Sequence, residues 1–164
     1  MRTVFSLILA ACLAASFAAP VHAANTNADA DVAAIRHVVQ QFQTAIIAHD
    51  GKTLGSLFMP EGGAWRSALD DATYAAAKAR NPAAPRTMPS TWQDFVGFVQ
   101  RSTKPIEERF HDVRIDTNGT VASVWFDFEF LEGGKVTNEG SETWQLVRTD
   151  DGWKIHAMLY SNSP

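Results

Sequence analysis

The segment from Gly140 to Pro164 combines acidic, aromatic and phenolic side chains at alternating positions. Its alternation and its Asp150-Asp151-Gly152 turn signal predict a β-hairpin. A carboxylate can act as a general base, and a phenol can donate a hydrogen bond to negative charge that develops on a reacting oxygen. These groups can act together only if they share one face of a sheet, so the strand register decides their chemistry.

Turn geometry predicts that register, because side chains alternate and each turn type fixes the pairing. A three-residue loop at Asp150-Asp151-Gly152 would pair Glu142 with Tyr160. A two-residue turn at Gly133-Gly134 would pair Glu142 with Trp125. The first predicted face contains Trp125, Asp127, Glu129, Glu142, Trp144, His156, Met158 and Tyr160. The second, apolar face contains Val124, Phe126, Phe128, Phe130, Val147, Ile155 and Leu159.

Asp127, Glu142 and Tyr160 are the predicted catalytic residues on the first face. Two carboxylates on adjacent strands in a dry cavity repel each other, which raises the pKa of one towards neutrality. Tyr160 lies opposite Glu142 in this register and could donate a hydrogen bond. The alternative is a network that only satisfies buried polar groups.

The predicted ligand-binding residues are Trp65, Trp125, Trp144, His156 and Met158. Aromatic side chains with polar tips are typical of small-molecule cavities. Two alternatives stay open: the face could simply be exposed to water, and His156, about four residues along the strand from Tyr160, could be a wall residue rather than a base.

His111 and Arg109 have no fixed side in this prediction. A two-residue turn at Asn118-Gly119 puts His111 on the apolar face opposite Phe126, whereas a three-residue loop puts it beside Trp125 in the cavity. The length of this loop also decides whether Arg109 forms an ion pair with Asp127.

Residues 1–23 have the pattern of a secretory signal peptide. Arg2 provides a basic start, residues 4–15 form an apolar run too short to span a bilayer, and Val21-His22-Ala23 offers small residues to a signal peptidase. We therefore predict one domain over 24–164 and a periplasmic or secreted location.

The only cysteine, Cys12, lies inside this leader. The mature chain would then form no disulfide, so its hydrophobic core must be sufficient for stability. Leu9-Ala10-Ala11-Cys12 also resembles a lipobox, and a lipidated Cys12 that anchors the protein to a membrane is the alternative to soluble export.

The rest of the chain predicts an α+β fold, with helices before a hairpin-linked sheet. Apolar residues from Val32 to Ile46 recur every three or four positions, which predicts a helix that Asp29 or Asp31 caps and Gly51 ends,. A short helix before Pro60, a strand near Trp65 and a loop or broken helix up to Pro89 follow. Ser90 and Gln93 fit the capping box of another helix. Four strands are predicted at Glu107–Asp116, Val121–Leu131, Val136–Arg148 and Trp153–Ser161.

Composition excludes several classes of function. With 164 residues, 46% of them hydrophobic, the chain fits a single domain with a real core,. The net charge of −4 gives no reason to expect nucleic acid or an anionic membrane surface as a partner,. The histidines form no close ligand pair, and phosphate loops and nucleophile elbows are missing, so neither a metal nor a cofactor is predicted.

The order of elements, with Trp153-Lys154-Ile155 after an Asp-Gly turn, resembles the NTF2-like superfamily in its SnoaL-like and DUF4440-like branches. The resemblance implies a cone in which a curved antiparallel sheet wraps around the N-terminal helices, with a cavity at its wide end. Its members include ketosteroid isomerases, dehydratases and non-catalytic proteins, and they often dimerise through the sheet.

The terminal segment, with Ser141-Glu142-Thr143 and Ser161, is also similar to the end of the association domain of calcium/calmodulin-dependent kinase. That resemblance implies cavity positions at Asp127, Trp144 and Tyr160, where the relative has arginines. Acidic and aromatic groups in their place disfavour an anionic ligand. We therefore expect a protein that binds a small neutral or cationic organic molecule, with two alternatives: an isomerase or lyase that uses cavity carboxylates, and a non-catalytic assembly module that forms homodimers through the sheet.

Overall fold

Helices and strands alternate in the first half of the chain, and four long strands form the second half. A computed structural model describes residues 28–163, so the predicted signal peptide and Cys12 lie outside the described residues. The elements are α1 (Ala28–Ile47), α2 (Gly51–Ser56), β1 (Trp65–Leu69), α3 (Asp71–Arg80), β2 (Thr87–Ser90), α4 (Trp92–Arg101), β3 (Ile106–Thr117), β4 (Val121–Glu132), β5 (Lys135–Thr149) and β6 (Gly152–Asn162).

The six strands form one sheet in the order β2-β1-β6-β5-β4-β3. Strands β3 to β6 form an antiparallel meander, and β1 joins its edge in parallel with β6. All four strands of the meander begin and end within one residue of the predicted bounds. The predicted α+β class is confirmed.

Local capping differs from the prediction at two helices. Thr91, rather than Ser90, caps α4, since its hydroxyl oxygen accepts a hydrogen bond from the backbone N–H of Asp94 at 3.1 Å. The predicted stop at Gly51 is also wrong. Helix α1 ends at Ile47, and Asp50 caps α2, which begins at Gly51. Side-chain oxygens of Thr and Asp satisfy the free N–H groups at a helix start, which is why one-residue shifts between them are easily missed.

The helices α1, α2 and α4 cover one face of the sheet, which we call the inner face; the other is the outer face. Phe42 of α1 is the centre of an aromatic cluster in which its ring lies 4.8 Å from Trp144 and 6.0 Å from Phe95 of α4. The buried inner-face residues include Val124, Phe126, Phe128, Phe130, Glu142, Trp144, Leu146, Ile155 and Met158.

A β-bulge between β4 and β5 corrects the predicted faces. Glu132 pairs with Lys135 as predicted, but Phe130 pairs with Asn138, so Thr137 is an extra residue on β5. An extra residue shifts every later pair by one. Beyond the bulge, Phe126, Phe128 and Phe130 share the inner face with Glu142 and Trp144, whereas Trp125, Asp127 and Glu129 lie on the outer face.

A second bulge restores the predicted pairing between β5 and β6. Thr149 pairs with Gly152, which contradicts the predicted three-residue loop, and the register then shifts at Gln145. His156 is the extra residue there. The predicted pairs Trp144 with Met158 and Glu142 with Tyr160 are both present as a result.

The outer face carries His111, whose two predicted positions are both wrong. It pairs with Asp127, and a bulge that contains Asp112 (φ 51°) separates it from the next pair, Arg114 with Trp125. The side chain of His111 lies 3.6 Å from Glu129. Arg109 contacts Glu107 on its own strand and not Asp127.

The apolar side of the sheet is covered by the chain's own helices and is not available to a second subunit. Leu159, predicted on that side, is 51% exposed on the outer face. Homodimerisation through the sheet stays a prediction. Over the described residues, no helix is both long and apolar enough to cross a membrane.

Candidate functional site

An aromatic cavity of about 290 Å³ lies between the inner face of the sheet and helices α1 and α4. Aromatic side chains of the hydrophobic core form most of its wall. The polar groups in the wall come from Glu108, Glu142, Asp94, Asn138, Ser90 and Tyr160. The apolar wall consists of Phe42, Trp65, Phe95, Phe98, Phe128, Phe130 and Met158.

Two glutamates face this cavity from different strands. Glu108 of β3 lies between Ile106 and Phe110 in the alternation of the strand, and Glu142 of β5 lies two positions before Trp144. Both therefore occupy positions that would otherwise hold core residues. They are 6% and 3% exposed.

Burial determines how these glutamates ionise. It raises the pKa of Glu142 to about 8, while a hydrogen bond from Trp144 opposes that rise. Burial also raises the pKa of Glu108 well above its usual range, and the nearby charge of Glu142 adds to this rise. A carboxyl with a pKa near neutrality can both accept and return a proton, as acid–base catalysis requires.

The indole of Trp144 lies behind Glu142 rather than in the cavity wall. Its Nε1–H donates a hydrogen bond to Glu142 Oε1. The ring is fully buried, with centroids 5.1 Å from Phe126 and 5.7 Å from Phe110. Trp144, predicted as a ligand-binding residue, therefore supports the carboxylate from the core.

Tyr160 lies opposite Glu142 on β6 and is half-buried. Its ring meets Phe128 edge to face at 6.1 Å. Burial raises the pKa of the phenol, while hydrogen bonds from the side chains of Ser67 and Trp65 oppose that rise. The phenol therefore remains a proton donor in the same cavity as the two glutamates.

Asn138 lines this wall and has one buried side-chain oxygen without a partner among the described residues. Its Oδ1 is buried and has no hydrogen-bond partner within the described chain. A buried amide oxygen without a partner is unfavourable for stability.

Four of the predicted site residues line the cavity: Glu142, Tyr160, Trp65 and Met158. Two of these, Trp65 and Met158, are also partners across the β1 and β6 pairing. The functional roles that we assign to all four remain predictions.

The other predicted site residues lie elsewhere. Asp127 is on the outer face, where its Oδ1 accepts a hydrogen bond from the hydroxyl of Ser141 at 2.6 Å. Trp125 is on the same face under the guanidinium of Arg114, 4.7 Å from its ring. His156 is exposed on the second bulge. The predicted cavity positions of Asp127, Trp125 and His156 are wrong. The first bulge shifts the pairing of β4 with β5 by one residue, which puts Asp127 and Trp125 on the outer face. His156 is the extra residue of the second bulge and is exposed.

Glu108 is the main residue that the sequence prediction missed. A signal was present, since Ile106, Glu108 and Phe110 alternate as an inward-facing set in the first half of the strand, between the charged residues Glu107 and Arg109,. A single acid among apolar inward positions indicates either a site or a buried ion pair. Across the described residues, no cluster of three or more His, Cys, Asp or Glu side chains is arranged to hold a metal ion.

Comparison with known proteins identifies the fold. No family model matches the sequence, and no curated protein matches it either. Among solved structures, an NTF2-like protein from Shewanella baltica is 16% identical with a TM-score of 0.60, over 85% of this chain and 99% of that one. A candidate dehydratase of the NTF2-like family from Streptomyces avermitilis is 21% identical with a TM-score of 0.58, over 83% and 98%.

A third structure, a candidate scytalone dehydratase from Novosphingobium aromaticivorans, is 13% identical with a TM-score of 0.60, over 82% of this chain and 85% of that one. The chain therefore has the NTF2-like fold, as the sequence resemblance implied. At these identities the similarity concerns the fold alone, and the function must be argued from the cavity.

Proposed function

We propose that the protein binds a small uncharged ring compound in the aromatic cavity and transfers a proton on it, as a cofactor-independent isomerase or lyase. The observation that carries this proposal is the pair of buried glutamates, Glu108 and Glu142, beside the phenol of Tyr160. Burying two acids without a positive partner is unfavourable for stability, and such arrangements are concentrated at functional sites.

The cavity wall supports the choice of ligand. Its volume of about 290 Å³ lies at the small end of ligand pockets, and aromatic rings form most of its surface,. Among the described residues that line it there is no Lys, Arg or His, so an anion would meet only acidic and apolar groups. An uncharged ligand suits the raised pKa values of both glutamates, since a cation would require at least one of them to ionise.

The two glutamates and Tyr160 then each have a role in proton transfer. Ionised Glu142 removes a proton from a carbon next to a carbonyl group, and Tyr160 donates a hydrogen bond to the oxygen that becomes negative. In an isomerisation, Glu142 returns the proton to another carbon. In an elimination, protonated Glu108 gives its proton to a departing hydroxyl, which leaves as water, while a carbon–carbon double bond forms.

Deuterium exchange into 2-tetralone, an uncharged bicyclic ketone, tests this proposal directly. In heavy water at pH 8, we expect the protein to accelerate loss of the acidic C–H signal in proton NMR. Glu142→Gln should reduce that acceleration at least about 100-fold, because it removes the base. Asp127→Asn, a matched change on the outer face, should leave it within about twofold.

Binding is measured in parallel by quenching of tryptophan fluorescence, since Trp65 lines the cavity. Saturable quenching is expected with 2-tetralone and not with 2-naphthoate, its anionic counterpart in size. Binding without exchange would indicate a carrier instead of an enzyme. Absence of both exchange and saturable binding with all uncharged ring compounds tested would contradict the proposal.

A further inference from the structure

We propose that Trp144 is a positioning residue that fixes the first negative charge of the glutamate pair on Glu142 and leaves the proton on Glu108. This inference rests on the proposed function, because it assigns the base and the acid within that site. It concerns a side chain that touches no part of the cavity and acts through Glu142.

The two carboxyl groups differ in their hydrogen-bond donors. Glu142 Oε1 accepts the indole N–H of Trp144. Within the described chain, no side chain or backbone N–H donates to the carboxyl of Glu108; Gln43 donates to its backbone oxygen only. An N–H donor stabilises a carboxylate more than a neutral carboxyl, so the ionised form is favoured at Glu142.

The indole cannot turn away from Glu142. Its ring is fully buried against Phe42 at 4.8 Å, Phe126 at 5.1 Å and Phe110 at 5.7 Å. A tryptophan has a donor and no acceptor on its ring nitrogen. The donor therefore stays aimed at the same carboxyl oxygen whatever the protonation of the pair.

Other titratable groups around the pair do not offer a competing positive charge. Among the described residues, the other acidic groups that line the cavity with Glu142 are Tyr160 of β6, Glu108 of β3 and Asp94 of α4. From α1, Phe42 lines the cavity and Gln43 donates to the backbone oxygen of Glu108; neither is charged. Burial dominates both pKa rises, but the charge of Glu142 raises the pKa of Glu108 further. Once Glu142 is ionised, Glu108 therefore holds its proton more tightly, which keeps a base and an acid available together.

Carbon-13 NMR of the glutamate side chains, recorded without ligand, tests this order. Signals are assigned with Glu142→Gln and Glu108→Gln and followed between about pH 5 and pH 10. Glu142 should titrate before Glu108, and the indole N–H signal of Trp144 should move with the same midpoint as Glu142. Glu108→Gln should change the Glu142 midpoint by less than about 0.5 pH unit, whereas Glu142→Gln should lower the Glu108 midpoint by about 1 unit or more.

Removing the donor provides the second test. Trp144→Phe should raise the Glu142 midpoint by about 1 pH unit, while Trp125→Phe, the matched change on the outer face, should not move it. If Trp144→Phe does not fold, the indole signal of the unmodified protein still decides the matter. Earlier titration of Glu108, or an indole signal that does not follow Glu142, would overturn the inference.

The two proposals fail separately. Titration requires no substrate, so a protein without exchange activity could still show Glu142 ionising first. Conversely, an active protein in which Glu108 ionises first would retain the proposed function and exchange the roles of the two glutamates.

Discussion

Carboxyl groups are buried on the inner face of the sheet and partly exposed on its outer face. On the inner face, Glu108 and Glu142 are almost completely buried, and their pKa values are raised. On the outer face, Asp127 and Glu129 are half-exposed; Asp127 accepts a hydrogen bond from Ser141, and Glu129 lies 3.6 Å from the ring of His111. The chemistry of an acid in this protein thus depends on the face on which it lies.

Neighbouring residues of one strand illustrate how small the structural difference is. Phe126 and Asp127 are adjacent on β4, yet the first is fully buried and the second lies on the outer face. Because side chains alternate with a period of two, one inserted residue exchanges such faces. The bulge at Thr137 is therefore the feature that puts Glu142 with the phenylalanines and excludes Asp127.

The largest effect expected from this contrast is the pH dependence of stability. Burial raises the pKa of Glu142 from 4.5 to about 8 in the folded chain. Below pH 4.5 both the folded and the unfolded chain hold the proton, and between about pH 4.5 and 8 only the folded chain holds it. Glu142 alone should therefore lower the free energy of unfolding as pH rises, by about 5 kcal/mol at about 1.4 kcal/mol per unit. Glu108, whose pKa is also raised by burial, adds to this fall.

Urea denaturation between pH 5 and pH 9 measures this fall. Glu142→Gln should reduce the slope by about 1.4 kcal/mol per pH unit, the share of one acid, and the buried Glu108 should keep a residual slope,. Asp127→Asn, the matched change on the outer face, should keep the slope of the unmodified protein. An equal slope in Glu142→Gln would show that burial of this acid does not govern the pH dependence.

The sequence predicted the elements well because they depend on local patterns. The apolar spacing in α1 and the turns at Gly133-Gly134 and Asp151-Gly152 place helix and strands without knowledge of tertiary contacts,. The resemblance to NTF2-like proteins added the cone and its cavity. Trp65, Glu142, Met158 and Tyr160 line the cavity of the structure, and their roles there stay predictions.

Faces were predicted less well because two bulges have no local signature. Thr137 and His156 interrupt the pairing although neither is a glycine, the usual marker of a bulge,. What determines their place is burial: Phe126, Phe128 and Phe130 must meet the helices, so β5 adjusts to them. A requirement that the most apolar face lie under the helices would have corrected the register and excluded Asp127.

Two valines of β4 test the contrast in packing. Val124 is 1% exposed on the inner face, and Val121 is 52% exposed. Val124→Ala should lower the free energy of unfolding by about 2 kcal/mol, because it removes two buried methyl groups and leaves a small cavity. Val121→Ala should change it by less than about 0.5 kcal/mol.

Both variants are compared by urea denaturation at pH 6. Equal losses in the two variants would mean that the sheet is buried on both faces in solution. The second subunit of a homodimer could produce that burial, so the same comparison also tests the predicted dimer.

The smallest expected effect concerns the hydrogen bond between Ser141 and Asp127 on the outer face. The hydroxyl of Ser141 donates to Asp127 Oδ1 at 2.6 Å, and both residues are half-buried. A double-mutant cycle with Ser141→Ala and Asp127→Ala should give a coupling of about 1 kcal/mol, as for other hydrogen bonds partly open to water. A coupling several times larger would place this pair in the same class as the buried groups of the inner face, and the distinction between the two faces would then be lost.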